Sequence, residues 1–285
     1  MIVNNTKEIL RINEQNAKKK FGQNFITSKL ILEHIISVSD LSKDDYVIEI
    51  GPGLGALTEF LAQGAKEVIA YEIDLDMVNI LKENMRDYKN VHIIHKDFLK
   101  ANLKEDIASF FGKVKSVKVI ANIPYYITTP ILFKLLNEDI VSEIYFMVQK
   151  ELAVRLTSKP NCKDYNALSV IMEYKTISKI EFDVPRNFFL PVPNVDSVLL
   201  SVKQKKNNYS VNNEGKFFEF LEALFIQKRK TLVNNLSNSK YGFSKEQIKN
   251  VLTTMQIKEN VRSEELDLEK IVKLYNLLMA SWYEI

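Results

Sequence analysis

The sequence predicts an α/β protein, with a doubly wound, mostly parallel sheet followed by a small all-helical domain. Short apolar runs at 46–50, 68–71, 91–94, 117–121 and 144–148 alternate with stretches of helical spacing, the pattern of βαβ units. The first run enters a glycine-rich turn, Gly51-Pro52-Gly53-Leu54-Gly55. Beyond a polar Asn- and Lys-rich stretch at 203–215, the chain loses strand-like runs and takes up helical spacing.

Residues 1–29 read as a polar lead-in. Its first 17 residues show no convincing apolar face and are expected to be mobile without a ligand. Leu30, Ile31, His34, Ile35 and Val38 recur at helical spacing, which predicts a helix over 28–38. After the five apolar runs, residues 166–203 change rhythm. An apolar stretch, a loop containing Pro185, Pro191 and Pro193, and a run at 197–202 predict strands returning on the sheet edge. The polar stretch is the linker, so the domains are 1–205 and 206–285. Helices are expected over 217–236, 245–254 and 268–282.

Composition narrows the function classes. Apolar residues make up 46% of the 285 and charged residues 26%, the balance of a soluble globular protein that buries a core without staples. Cys162 is the single cysteine, which excludes intrachain disulfides and a Cys-based zinc cluster. His34, His92 and His95 lack ligand spacing; His92 and His95 read as structural, and no metal is expected. No apolar run reaches the roughly 18 residues of a membrane helix. Asn4, Asn5 and Thr6 stand where a signal peptide would be apolar, so a cytoplasmic location is expected. Lys and Arg number 39 against 36 Asp and Glu. The excess lies entirely from Phe182 onward, where 15 basic residues face 12 acidic ones.

The glycine turn lets a backbone approach a ligand closely and opens a helix with unpaired N–H donors. Alone it is ambiguous. Gly51, Gly53 and Ala56 fit the relaxed dinucleotide fingerprint, with Glu72 near the place of its ribose acid. Gly51, Gly53 and Gly55 equally fit the G-x-G-x-G loop of S-adenosylmethionine methyltransferases. Glu72 ends the second strand, where a carboxylate accepts two hydrogen bonds from a ribose diol; a helix N-terminal acid, the bland alternative, suits Asp74 better. Asp97, just past the third strand, is placed for an adenine amino group or, equally, for a helix cap.

Asn122-Ile123-Pro124-Tyr125 follows the fourth strand and decides the chemistry. It matches the signature of methyltransferases acting on exocyclic amino groups, with Ile at the second place. The adenine N6 lone pair is conjugated into the ring and is a poor nucleophile. Hydrogen bonds from that amine to the Asn122 side-chain oxygen and the Ile123 carbonyl favour a more tetrahedral nitrogen. Pro124 restricts Ile123 to extended conformations, and Tyr125 offers a ring on which an extruded base stacks. A nicotinamide enzyme has no use for this motif.

Five segments in order carry a family resemblance: Lys19-Lys20-Phe21-Gly22-Gln23-Asn24-Phe25, Glu49 through Thr58, Asn122 through Pro130, Pro193-Asn194-Val195-Asp196-Ser197, and Gln227-Lys228-Arg229-Lys230-Thr231-Leu232. From about Lys18 to Leu278 the chain resembles the bacterial small-subunit rRNA adenine dimethyltransferases, in one superfamily with the macrolide-resistance Erm enzymes. The resemblance implies a Rossmann-like class I S-adenosylmethionine methyltransferase, a monomer, acting on 16S rRNA within the 30S subunit or its precursor. The implied reaction is dimethylation of N6 on two adjacent adenosines of the 3′-terminal hairpin loop, with a role in ribosome biogenesis. It implies that Asn24 and Ile26 close over the cofactor, that Gly51 and Gly53 hold its methionine part, and that Glu72, with Ile73 beside it, takes the ribose. Asp97 and Phe98 would take the adenine, with Asn122 touching both cofactor and target base. Tyr125 would take one face of that base and Phe189 the other, core packing being the alternative for Phe189. Pro130, Asp196 and the Gln-Lys-Arg-Lys-Thr-Leu segment favour this family over the alternative, a 23S rRNA methyltransferase of the Erm type. One departure is Tyr126, where most members have Asn. Lys228, Arg229 and Lys230, expected on the first C-terminal helix, and Lys18, Lys19 and Lys20 near the mouth of the site are expected RNA phosphate contacts.

Overall fold

A computed structural model describes residues 1–12, 23–206 and 209–282. A 3-10 turn at Ile2–Asn5 leads into α1 (Thr6–Ile12), followed by β1 (Phe25–Ile26) and α2 (Lys29–Val38). Ser28 caps α2 by accepting from the Ile31 amide, so the helix starts where the apolar spacing starts. Then come β2 (Tyr46–Ile50), α3 (Ala56–Gly64), β3 (Glu67–Glu72), α4 (Leu75–Asn84), β4 (Val91–His95) and α5 (Leu103–Phe110). The Asp74 side chain caps α4, the role its position suggested. The next elements are β5 (Val117–Asn122), α6 (Thr128–Leu136), β6 (Val141–Gln149), α7 (Lys150–Thr157) and α8 (Ala167–Lys175). Strands β7 (Thr176–Val184), β8 (Phe189–Leu190) and β9 (Ser197–Gln204) follow. The chain ends in α9 (Glu214–Phe225), α10 (Leu232–Ser237), α11 (Lys245–Thr254) and α12 (Leu268–Trp282).

Seven strands form one sheet in the order β4-β3-β2-β5-β6-β9-β7. From β4 to β6 all pairings are parallel, and β9 returns antiparallel against β6. The apolar runs became strands because helices cover the sheet and both faces need apolar side chains. Val47, Ile48, Val68, Ile69, Val119 and Ile120 are wholly buried. The chain moves outward from β2 through β3 to β4 and in the other direction from β5 to β6. The strand order therefore reverses between β2 and β5, and ligands bind at the carboxyl ends of strands beside such a reversal. The glycine turn follows β2, and Asn122 ends β5. His92 pairs with Glu67 at 2.7 Å, and His95 lies 3.2 Å from the Ile73 carbonyl, both structural roles.

Three expectations change. Residues 1–12 do have an apolar face. Val3, Thr6 and Leu10 share one side and are buried, and the Ile2 amide donates to Glu59 at 2.8 Å. Second, residues 154–178 form a compact unit with 205–285, while 179–204 belong with 1–153. The division after residue 205 kept 154–178 with the first domain. It missed that α8 is a helix whose Tyr174 packs on Phe217 at 5.2 Å and edge-on to Phe218 at 5.8 Å. Third, the helix expected over 217–236 breaks after Phe225. Buried Asn235 donates to the Leu224 carbonyl at 2.9 Å and the Gln227 carbonyl at 3.2 Å, satisfying acceptors that end α9. Thr231 then caps α10, accepting from the Asn234 amide. Residues 226–230 form an exposed turn between the two helices. Among the described residues no helix is long and apolar enough to cross a membrane.

Candidate active site

A cavity of about 270 Å³ opens at the carboxyl ends of β2, β3 and β5. Its lining includes Asn24, Ile26, Gly51, Gly53, Glu72, Ile73, Asp97, Phe98, Asn122, Ile123 and Tyr125, residues chosen from the sequence. Gly51, Gly53 and Gly55 have φ of 70°, 57° and 93°, the left-handed region that side-chain-bearing residues avoid. Gly53 is needed twice over, because a Cβ there would lie 2.9 Å from Phe25 Cε1.

Glu72 ties the floor of the cavity together. The Gly53 amide donates to Oε2 at 3.0 Å, and the amides of Ile73 and Asp74 each donate to Oε1 at 2.9 Å. Burial pushes its carboxyl above the usual range, while the three amides pull the other way. A carboxylate offers about four acceptor sites, so Oε2 keeps one for a ligand hydroxyl. The two-oxygen grip expected from the sequence would need an amide to let go. Asp97 takes the cap role suggested for it and also faces the cavity. Its Oδ1 caps the turn at Phe98–Lys100 by accepting from the Leu99 amide at 3.0 Å. Phe98 is buried and meets Tyr71 edge-on at 5.2 Å.

Opposite this floor stands Asn122, whose Nδ2 donates to the main-chain carbonyl of Asn24 at 2.9 Å. A carbonyl accepts only, so the amide's orientation is decided, and Oδ1 is the atom left to accept from a ligand. Tyr125 begins a 3-10 turn at Tyr125–Ile127, and its hydroxyl shares a 2.6 Å hydrogen bond with Ser197. Tyr126, the departure from the family pattern, lies 63% exposed on the rim.

Phe189 departs from expectation. It lies in the core with Ile26, Val184 and Leu199 and does not line the cavity. In β8 it pairs with Ile26 of β1, and its ring turns inward, the alternative the sequence left open. Lys18, Lys19 and Lys20 lie outside the described residues. Lys228, Arg229 and Lys230 sit in the exposed turn after α9 rather than on the helix, so all three are accessible together. Thr6 and Glu49 are among the polar lining residues that the sequence reading gave no role. Thr6 comes from the N-terminal helix, whose apolar spacing is short. Glu49 hides inside a buried strand, where its charge was the available signal. Burial pushes its carboxyl up to about 8, Thr58 opposes the shift, and the neighbouring charge of Glu72 adds to it. Its Oε2 has no hydrogen-bond partner among the described residues.

Comparison with known proteins now bears on the motif. A model of the ribosomal RNA adenine dimethylase family matches residues 14–280. The chain belongs to this family. Among curated relatives of the chain is a ribosomal RNA small subunit methyltransferase A of Streptococcus gordonii, 45% identical over 280 residues, with 96% of each chain covered. A protein of the same name from Geobacillus kaustophilus is 45% identical over 277 residues, covering 96% of this chain and 94% of its own. In structure the chain is similar to a dimethyladenosine transferase from Plasmodium falciparum, with TM-score 0.72, 27% identity, and coverage of 88% and 95%. The 23S rRNA methyltransferase ErmE is similar in fold as well, with TM-score 0.70, 22% identity, and coverage of 90% and 99%. Fold alone therefore does not separate substrates, whereas sequence identity does.

Proposed function

We propose that the protein transfers methyl groups from S-adenosylmethionine to N6 of two adjacent adenosines in the 3′-terminal hairpin loop of 16S rRNA, two groups to each. The observation that carries this reading is the fixed polarity of Asn122. With Nδ2 held on the Asn24 carbonyl, Oδ1 is presented as an acceptor, which an aromatic amine requires. Kinship with the small-subunit methyltransferases supplies the substrate class.

S-adenosylmethionine supplies an electrophilic methyl group on a sulfonium. The cavity residues fit it: the glycine turn for the amino-acid end, the spare acceptor of Glu72 Oε2 for a ribose hydroxyl, and Asp97 with Phe98 for the adenine. Asn122 Oδ1 and the Ile123 carbonyl accept the two N6 hydrogens and turn the nitrogen lone pair out of conjugation. Tyr125 holds the extruded base by stacking. After transfer the methylated nitrogen is a strong acid and loses its proton without a dedicated base. Positioning supplies the acceleration. Lys228, Arg229 and Lys230 supply phosphate contacts that carry no sequence information. Replacing all three with Ala should weaken subunit binding and flatten its dependence on salt.

The test is transfer from labelled S-adenosylmethionine to small and large ribosomal subunits from cells lacking the activity, with the product mapped by digestion and mass spectrometry. Dimethyladenosine in the small-subunit 3′ hairpin is the expected result. Label confined to the large subunit would move the protein to the Erm type. Cofactor binding without transfer would leave a role in subunit assembly alone.

A further inference from the structure

Ser197 belongs to neither the four-residue motif nor the lining of the cavity. It is the first residue of β9, wholly buried, and pairs across the antiparallel ladder with Gln149 of β6. Its hydroxyl meets the Tyr125 hydroxyl at 2.6 Å, at the short end of the range for O–H···O bonds. The two residues are 72 positions apart, so no local turn requires the contact.

Stacking asks only for a ring face. The hydroxyl of Tyr125 is therefore surplus to stacking. Tyr125 stands on a short 3-10 turn beyond the end of β5, where the backbone alone leaves the side-chain torsions free to vary. Anchoring the far end of the ring to a sheet residue removes that freedom. Burial also pushes the phenol pKa upward, so the bond keeps its proton through the neutral range. We infer that Ser197 is a positioning residue for the target base, its buried hydroxyl holding the Tyr125 phenol and fixing the axis of the ring on which the adenine stacks. This rests on the role given to Tyr125 above. It adds that β9, which enters the sheet after the parallel strands are complete, sets the geometry of the transfer step.

Ser197→Ala and Tyr125→Phe delete the same bond from opposite ends, and Phe keeps the stacking face. Both variants, their double and Ser197→Thr should be compared with the unaltered protein in methyl transfer to small subunits. The readouts are kcat and KM measured separately, cofactor affinity and melting temperature. Each single variant should lose about tenfold in kcat, the scale of one lost hydrogen bond. KM for the subunit and cofactor affinity should stay within about twofold, since binding precedes the orientation at issue. The double variant should be no slower than either single, because both remove one interaction. Ser197→Thr keeps a hydroxyl and should recover most of the rate. Transfer at the unaltered rate by Tyr125→Phe, or losses that multiply in the double variant, would overturn the inference. So would a loss in Ser197→Ala that follows falling cofactor affinity and melting temperature, which marks a structural role. Transfer by the unaltered protein reports on the proposed substrate, and only the ratio of variant to unaltered protein reports on Ser197.

Discussion

On the glycine-turn side of the cavity, Glu72 takes its hydrogen bonds from the amides of Ile73 and Asp74 and from Gly53, 19 residues away. On the motif side, Asn122 is held by a carbonyl 98 residues earlier in the chain and Tyr125 by a hydroxyl 72 residues later. The first half is built from contiguous chain, in which a strand end, a turn and a helix start dictate one another. The second exists only once β1 and β9 have found their places. The difference teaches that a binding site can be set by local geometry, whereas orienting a reacting group draws on distant parts of the fold.

The largest effect expected comes from Asn122→Ala, which removes the proposed amine acceptor. Methyl transfer should fall by about 10²- to 10³-fold, the usual cost of one preorganised polar group, with the protein still folded by circular dichroism. Next is Glu72→Ala, on the local side. It leaves three amides without their acceptor and should weaken cofactor binding about 10- to 100-fold and lower stability by about 2 kcal/mol, measured by calorimetric titration and denaturant unfolding. Asn122→Asp sharpens the comparison, because it keeps an acceptor oxygen but cannot donate to the Asn24 carbonyl. Two oxygens would then face each other, and transfer should drop about tenfold, in line with loss of one hydrogen bond. A smaller loss than with Asn122→Ala would separate the long-range anchor from the acceptor itself.

The smallest effect concerns Glu49. Its carboxyl is raised to about 8 from an ordinary 4.5, so the folded protein holds a proton that the unfolded chain releases. Stability from this group is complete below the ordinary value and is lost as pH rises from there through about 8. Glu49→Gln carries no such proton. Melting temperature should therefore fall with rising pH in the unaltered protein relative to the variant, by about 5 °C across that window.

Much of the parallel sheet was legible because buried strands write continuous apolar runs. Gly51, Gly53, Glu72 and Asn122 were legible as cavity residues because the glycine turn follows one strand of the βαβ pattern and Glu72 and Asn122 end two others. The rest depended on tertiary partners. Nothing near Phe189 in the sequence says which way its ring turns, since Phe188 beside it is equally apolar. The break after Phe225 depends on Asn235 folding back on the Leu224 carbonyl, a contact invisible to periodicity. Residues 1–12 looked polar because Val3, Thr6 and Leu10 make a face only one residue wide. Helix α8 was read as part of an apolar stretch, because a short buried helix and a strand write similar composition.

The partner of Asn122 is a main-chain carbonyl, and this shapes what genetics can detect. Every amino acid placed at position 24 brings the same oxygen, so a scan of side chains there passes over the anchor in silence. The group does not titrate either, which leaves the presented acceptor indifferent to acidity over the range in which the fold persists. Selection acting on residue 24 sees the side chain alone, while the backbone beneath it continues to orient the amide.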